Sequence, residues 1–268
     1  MNELLKALPP GAWVLDLGCA SGSFRAAGSC RMVRVDLEIP HSPVSNLVQA
    51  DAAKLPFPDH CFDAIISNHS LEHFTNLTSA LEEMGRVIKP AGALYVSVPD
   101  ATTFCDLLYR WLARGGGHVN AFRSAPQLVA KVRQVTGLKH VATRTLHTSL
   151  SFLNRHNAPR PRPRKLLLLG NGTETSLRLI NYLSRLSDRF LHTRLTVYGW
   201  ALYFGNIAAH IDTQAWINVC IRCGAGHPSA WLSSQPNLLH RRWFLRVYSC
   251  PNCGTLNLFA HDRSDRQF

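Results

Sequence analysis

The sequence predicts an α/β fold with a parallel sheet, and three observations lead to this class. Residues 13–15 form a short apolar run, typical of a buried strand, that meets an acid and then a turn containing Gly18 and Gly22. Four further runs of strand length follow between residues 33 and 98. Segment 78–88 carries apolar residues at helical spacing between two of these runs, as expected when helices connect parallel strands.

The later part of the chain continues this alternation. Segments 139–148 and 195–206 are predicted as the sixth and seventh strands. The stretch between them, about residues 149–194, is interpreted as an insertion that contains an extended proline- and arginine-rich tract. The insertion ends with helix 176–191, whose apolar face either packs on the protein or lies on an anionic membrane surface. Helices are also predicted over residues 2–8, 105–112 and 125–135, and a short helix is expected to open near residues 23–24. A turn is expected at residues 89–92, before the fifth strand.

Acidic side chains follow three of the predicted strands. Asp16 stands before the first glycine, Asp36 ends the second strand twenty residues later, and Asp51 follows the third strand. A carboxylate before a glycine turn repels a pyrophosphate but holds a cationic amine, which favours the aminoacyl end of S-adenosylmethionine over NAD or ATP. Asp36 can accept hydrogen bonds from both ribose hydroxyls, and Asp51 can meet the adenine amino group. The glycine spacing of dinucleotide folds and the lysine of a P-loop are both missing.

Several ordered stretches match one family: VLDLGCASG, RVDLE, ADAAKLPFPDHCFDAIISNHSLEHF, EEMGRVIKPAGALYVSVPD and, more loosely, GHVNAFRSAPQL. Over residues 13 to about 128 the chain therefore resembles the class I S-adenosylmethionine-dependent methyltransferases of the type 11 group. The resemblance implies a Rossmann-like, seven-stranded sheet with helices on both faces and a last strand antiparallel to the others. The residues expected to bind the cofactor are Asp16, Gly18, Cys19, Ala20, Gly22, Asp36, Leu37, Asp51, Ala52 and Asn68.

The chain departs from the family pattern at Ala20, where relatives usually carry a second glycine. Alanine is tolerated at this position if its φ is negative. Two histidines are candidate general bases for a hydroxyl acceptor. His73 follows the fourth strand, and its alternative is a histidine packed on the edge of the cofactor. His118 follows a glycine loop that is predicted to hinge a lid, and its alternative is a loop histidine without a chemical role.

Two Cys-x-x-Cys pairs near the end of the chain predict a structural zinc site. Cys220 and Cys223 form one pair, Cys250 and Cys253 form the other, and a glycine follows the second cysteine of each. The 26 residues between the pairs exceed the usual spacing of about 15–20, which leaves room for ribbon strands. His210 and His227 are alternative ligands, although four thiolates suffice. Such a closed site stabilises a small module and has no open position for catalysis.

The charge is unevenly distributed. The chain has a formal net charge of +12, yet residues 1–100 carry 7 Lys and Arg against 11 Asp and Glu, whereas residues 101–268 carry 22 against 6. The basic part favours an anionic partner, such as nucleic acid, anionic lipid or a phosphorylated glycan, and the alternative is a solvated surface.

Composition also bears on the location of the protein. The start of the chain is not basic, so no signal peptide is predicted, and the longest uncharged stretch, residues 195–211, is shorter than the ~20 residues of a membrane span. The eight cysteines then favour metal binding in a reducing cytoplasm over disulfides. Peripheral contact with a membrane stays open.

These observations predict a methyltransferase domain over residues 1–208 and a zinc-ribbon-like module over residues 209–268. The favoured function is methyl transfer from S-adenosylmethionine to a small-molecule, glycan or lipid-linked acceptor. One alternative is an RNA methyltransferase, in which the ribbon and basic tail grip phosphates. Another is a non-catalytic module that only binds S-adenosylmethionine, and the presence of all three strand-end acids argues against it.

Overall fold

The structure is a computed structural model that describes residues 2–20, 30–39, 45–113, 116–148, 150–157, 172–207, 216–242 and 245–260. Two compact units make up the chain. The first consists of Met1–Pro99, Val119–Thr143 and Trp200–Ile211, and the second of Asp100–His118, Arg144–Gly199 and Asp212–Phe268. The domain boundary expected after residue 208 stays a prediction.

The helices and strands of the described residues alternate along the chain. In chain order they are α1 Asn2–Ala7, β1 Trp13–Leu17, β2 Arg31–Asp36, β3 Leu47–Gln49, β4 Phe62–Asn68, α2 Leu77–Val87, β5 Ile88–Pro99, α3 Phe104–Leu112, α4 Ala125–Thr136, β6 His140–His147, α5 Glu174–Phe190, β7 Val197–Gly205, β8 Trp216–Val219, β9 Gly226–Pro228, α6 Ser229–Ser233, β10 Leu239–Arg242, β11 Leu245–Ser249 and β12 Leu256–Leu258.

The sheet of the first unit has the strand order β3-β2-β1-β4-β5-β7-β6. Strands β1 to β5 pair in parallel, so their carboxyl ends meet at one edge. Strand β7 is antiparallel to β5, because Asn206 donates to the carbonyl of Gly92 near one end of the pair and Asp100 donates to that of Tyr198 near the other. The order and the reversed last strand confirm the Rossmann-like fold that the resemblance implied.

The core of the first unit forms where the apolar runs of the sequence meet. Strand β1 buries Val14 to Leu17, and α2 packs its apolar side, including Leu81 and Met84, into the same core. One boundary differs from the prediction: β5 begins at Ile88, directly after α2, so the expected turn at residues 89–92 lies within the strand. The helix predicted near residue 23 lies outside the described residues.

Two buried clusters are seen among the described residues of the second unit. One joins α3 and α5 through residues such as Cys105, Leu112 and Leu177, and the other surrounds the paired cysteines with Leu232 and Tyr248. The end of β6 pairs in parallel with β8, which pairs antiparallel with β9, and β10-β11-β12 form a separate antiparallel sheet. The basic tract at residues 159–165 lies outside the described residues. Among the described residues, no helix combines the length and apolarity needed to span a bilayer.

Candidate functional site

The glycine turn after β1 is fixed against the end of β2. The backbone N–H groups of Gly18 and Cys19 both donate to the carbonyl of Val35, at 2.8 and 3.2 Å. Gly18 has a φ of +74°, and a Cβ added there would lie 2.4 Å from the Cβ of Ser70. Both the backbone angle and the missing space therefore require glycine at this position.

Ala20 takes a left-handed conformation, with a φ of +45°. The condition under which alanine is tolerated at position 20, a negative φ, is therefore not met. The Ala20 N–H donates to Oδ2 of Asp36 at 2.7 Å, which ties this turn to the end of β2. Alanine thus occupies a conformation that glycine adopts more readily.

A cleft of about 440 Å³ opens at the carboxyl ends of β1 to β4 in the first unit. Asp36 and Asp51 stand on its walls, each held by its own local backbone. Oδ1 of Asp36 accepts from the N–H of Glu38 at 3.2 Å, and Oδ1 of Asp51 accepts from the N–H of Ala53 at 2.9 Å. The cleft is lined by seven of the residues predicted from sequence: Gly18, Ala20, Asp36, Leu37, Asp51, Ala52 and His73.

Asp16 lies beneath the cleft and is not part of its lining. Its side chain is 1% exposed and stands opposite Arg34 in the parallel register of β1 and β2, with 3.9 Å between Nε of Arg34 and Oδ2 of Asp16. Burial raises the pKa of Asp16 to about 6, although Arg34 works against this and Asp36 adds to it. A nearby cation would therefore favour the ionised form of this carboxyl.

Two other predicted residues, Cys19 and Asn68, also lie apart from the cleft lining. Cys19 is buried, and burial together with Asp16 and Asp36 raises the pKa of its thiol to about 11, so the thiol stays protonated at neutral pH. Asn68 ends β4, and its Oδ1 accepts from the hydroxyl of Ser97 at 2.8 Å. Gly22 lies outside the described residues.

The segment after β4 supplies two histidines to the cleft. His73 ends the short 3-10 helix Leu71–His73, and its side chain is exposed along the cleft wall. His69 also lines the cleft, with a φ of +53° and its Nδ1 3.7 Å from Oε1 of Glu72. Glu72 is buried and is not among the residues that line the cleft. Sequence reasoning missed His69, although it stands next to Asn68 in the matching stretch.

Asn120 fixes this segment from a distant part of the chain. Its Nδ2 donates to the carbonyls of Leu71 at 3.0 Å and Phe74 at 2.7 Å. The backbone N–H groups of Val119 and Asn120 both donate to the carbonyl of Glu72. Sequence reasoning did not single out Asn120, although the stretch GHVNAFRSAPQL contains it.

His118 belongs to the second unit. Its Nδ1 lies 3.4 Å from Oδ1 of Asp106, which is buried, and its ring lies 5.3 Å from the ring of Tyr109. The same carboxylate also pairs with Arg110 at 2.7 Å. These contacts give His118 a structural setting in its own unit, and its catalytic role stays a prediction.

The four cysteines predicted as metal ligands come together in the second unit. Their sulfur atoms all lie within 4.8 Å of one another, with 3.6 Å between those of Cys220 and Cys253 and 3.7 Å between those of Cys223 and Cys250. Thiolates at about 2.3 Å from a tetrahedral zinc ion would be separated by about 3.8 Å. The donor set and its spacing therefore fit Zn²⁺.

Both cysteine loops have the same backbone geometry. In the first, Gly224 donates to the carbonyl of Cys220, and in the second Gly254 donates to that of Cys250, at 3.0 and 2.8 Å. Each glycine has a positive φ, of +70° and +72°. His227 is buried beside the cluster, with its Nε2 3.5 Å from the sulfur of Cys250, whereas His210 lies outside the described residues.

The predicted insertion packs against the cysteine loops within the second unit. Nδ2 of Asn154 donates to the carbonyl of Ile221 at 3.0 Å. At the start of α5, Oε1 of Glu174 accepts from the hydroxyl of Thr255 at 3.2 Å and lies 3.5 Å from Nε of Arg222. Each cysteine loop thus has a polar partner on the insertion.

The known proteins that this chain resembles include methyltransferases. A family model described as "Methyltransferase domain" matches residues 15–96. The malonyl-[acyl-carrier protein] O-methyltransferase of Methylococcus capsulatus is 31% identical over 188 residues, which cover 59% of this chain and 68% of that protein. The tRNA (carboxymethyluridine(34)-5-O)-methyltransferase of Arabidopsis thaliana is 32% identical over 103 residues, which cover 35% of this chain and 26% of that protein.

Among solved structures, a SAM-dependent methyltransferase from Archaeoglobus fulgidus is 17% identical and has a TM-score of 0.49, over 72% of this chain and 86% of that chain. Membership rests on the bacterial relative, of which this chain spans more than two thirds. The chain belongs to the S-adenosylmethionine-dependent methyltransferase family.

Proposed function

We propose that the protein transfers a methyl group from S-adenosylmethionine to a small-molecule, glycan or lipid-linked acceptor. The observation that carries the proposal is the cleft at the strand ends, with the carboxylates of Asp36 and Asp51 on its walls. Each oxygen of Asp36 accepts one backbone N–H, which leaves further lone pairs for the two ribose hydroxyls. Oδ2 of Asp51 is proposed to accept a hydrogen bond from the adenine amino group.

Asp16 is proposed to hold the cationic amine of the cofactor. Its burial makes the ionised form costly, since the pKa is raised to about 6. An amine cation above the glycine turn would offset that cost and favour the carboxylate. The Gly18–Ala20 turn, fixed by Val35 and Asp36, keeps the backbone close enough for this approach.

When bound, S-adenosylmethionine supplies an electrophilic methyl group. The residues of the cleft then need only align the acceptor and, for a hydroxyl acceptor, remove its proton. His73 is proposed as that base, because its ring is exposed on the cleft wall. Asn120 and Glu72 keep the 71–74 segment in place, so they are proposed as positioning residues.

The test is calorimetric titration of S-adenosylmethionine into the wild type, Asp36→Asn and Asp59→Asn. We expect Asp36→Asn to weaken binding by roughly 10- to 100-fold, since it removes charge-assisted hydrogen bonds to the ribose. Asp59 is an exposed acid that pairs with Arg86 outside the cleft, so Asp59→Asn should bind like the wild type. Absence of binding by the wild type would overturn the proposal.

A second candidate is methylation of RNA. It is favoured by the excess of 22 basic over 6 acidic residues in 101–268 and by the tRNA methyltransferase among the relatives. Against it, Asn68-His69-Ser70 lacks the Pro-Pro-aromatic run common in enzymes that methylate base amino groups. The test is to measure the RNA-binding constant K over a range of salt concentrations. If the protein neutralises several phosphates, log K falls steeply with log salt, and a binding constant that does not change with salt would exclude RNA as the acceptor. S-adenosylmethionine binding without turnover on either acceptor class would favour a non-catalytic module.

The cysteine cluster is proposed to hold one structural Zn²⁺. Its four thiolates leave no open coordination position, so the ion would stabilise the second unit and take no part in methyl transfer. Keeping these thiols reduced requires a reducing compartment, and we place the protein in the cytoplasm on this ground.

A further inference from the structure

We propose that the second unit docks on an anionic lipid bilayer through two exposed apolar stripes, one on α5 and one on α3. Membrane contact of this kind is separate from cofactor binding and from the identity of the acceptor. The inference starts from helix α5, which buries a polar residue and exposes several large apolar ones. A helix that packs on a protein core usually does the opposite.

Helix α5 buries the polar residue Asn181, together with Leu177, against its own unit. Its larger apolar residues point the other way: Leu179, Leu183 and Phe190 are all more than half exposed. Positions 179, 183 and 190 fall within about 40° of one another on an α-helix, whereas 177 and 181 lie on the opposite side. An apolar stripe on the solvent side of a helix marks a surface that another phase or molecule covers.

Helix α3 carries a second stripe of the same kind. Phe104, Leu107 and Trp111 recur at positions i, i+3 and i+7 and are exposed, with Trp111 at 72%. Cys105 and Leu112 on the other side of α3 share a buried cluster with Leu177 of α5. Both helices are therefore anchored to one core and turn apolar side chains, including aromatic rings, away from it.

The charges around α5 identify the covering phase as anionic. Arg189 stands beside the exposed stripe, with its guanidinium carbon 5.1 Å from the centre of the Phe190 ring. Arg178 is half-buried nearer the start of the helix, whereas the guanidinium of Arg185 is turned inward onto the ring of Trp216. The acids of the helix are engaged elsewhere. Asp188 accepts from the backbone N–H groups of Leu195 and Thr196, and Glu174 contacts the cysteine loops.

An apolar stripe flanked by arginines is the pattern of helices that lie in the interface of anionic membranes. The aliphatic parts of arginine side chains cover apolar surface while the guanidinium groups reach lipid phosphates. A bilayer surface can also cover both apolar stripes at once, because it needs no groove of complementary shape. The basic excess of residues 101–268 adds long-range attraction to the same surface.

The experiment is co-sedimentation of the full chain with vesicles of phosphatidylcholine containing phosphatidylglycerol, and with vesicles of phosphatidylcholine alone. We expect the wild type to bind the anionic vesicles and to lose that binding in high salt. Leu179→Ser with Leu183→Ser should weaken binding at least about tenfold, because it removes exposed apolar area that the bilayer covers. Arg178→Gln with Arg189→Gln should weaken it about thirtyfold, at about 1 kcal/mol per basic residue.

Matched controls come from the first unit. Ile39→Ser with Val119→Ser removes two exposed apolar side chains, and Arg123→Gln with Arg133→Gln removes the same number of charges. Both controls should bind like the wild type. Failure of the wild type to bind anionic vesicles, or equal losses in variants and controls, would overturn the proposal. So would a wild-type dimer that Leu179→Ser with Leu183→Ser dissociates, since the stripe would then join two copies of the chain.

Discussion

The hydroxyl of Ser70 donates to the carbonyl of Gly18 at 3.1 Å, and the Cβ of Ser70 fills the space where a side chain on residue 18 would stand. Gly18 and Ser70, which are 52 positions apart in the sequence, thus contact each other in the lining of the cleft.

Gly18→Ala should lower the free energy of unfolding by about 2–4 kcal/mol, from the positive φ and from the clash with Ser70. Urea denaturation measures this loss. Gly137→Ala is the matched control, since Gly137 has a φ of +71° but no atom within 4 Å of an added Cβ. It should lose only about 1 kcal/mol. Equal losses in the two variants would show that the contact with Ser70 carries no energy.

Ala20→Gly should raise the free energy of unfolding by about 1 kcal/mol, because glycine adopts a φ of +45° without the penalty that alanine meets. Denaturant midpoints of the two proteins give the difference. Ala52→Gly is the control: Ala52 also lines the cleft but is not among the residues with a positive φ, so the substitution should destabilise. A loss of stability in Ala20→Gly would contradict the reported strain.

Asp16 makes stability depend on pH. Its pKa is raised from 3.8 to about 6 in the folded protein, so between these values the folded state binds more protons than the unfolded chain. The contribution of the protonated Asp16 carboxyl to folding stability is fully present below about pH 4. It is lost as the pH rises through about 6. We expect the wild type to lose about 3 kcal/mol relative to Asp16→Asn from about pH 4 to about pH 7. Unfolding curves at several pH values test this, and parallel profiles would refute it.

Cys220→Ser and Cys253→Ser should each abolish tight zinc binding and lower the thermal midpoint of the second unit, since a structural site contributes its binding energy to folding. Metal analysis of the purified protein and thermal melts measure both effects. Cys61→Ser is the control, because Cys61 packs against the core of the first unit and should leave the zinc content unchanged. A full equivalent of zinc in both cluster variants would refute the site.

The sequence located the elements well where apolar runs set them. Strand β7, predicted over 195–206, spans Val197–Gly205, and the cysteine pairs meet as their spacing indicated. Hydrophobic patterns indicate which residues are buried, and they located the strands. Because parallel strands end at one edge of the sheet, the positions of Asp36 and Asp51 at that edge could be predicted. The roles of these residues stay predictions.

Other features depend on contacts that no local pattern carries. The turn at Ala20 is bonded to Asp36, and the 71–74 segment is bonded to Asn120. Helical spacing in 176–191 predicted an apolar face but could not tell which side would be covered. Burial of Asn181 and exposure of Leu183 follow from the packing of the whole second unit.

The carboxylate of Glu174 touches both cysteine loops, through Thr255 on one and Arg222 on the other. The first turn of α5 is therefore attached to the same two loops that carry the four clustered cysteines. If the cysteines hold the proposed Zn²⁺, its removal would free both loops and with them the start of α5, so metal content and the position of this helix would be coupled.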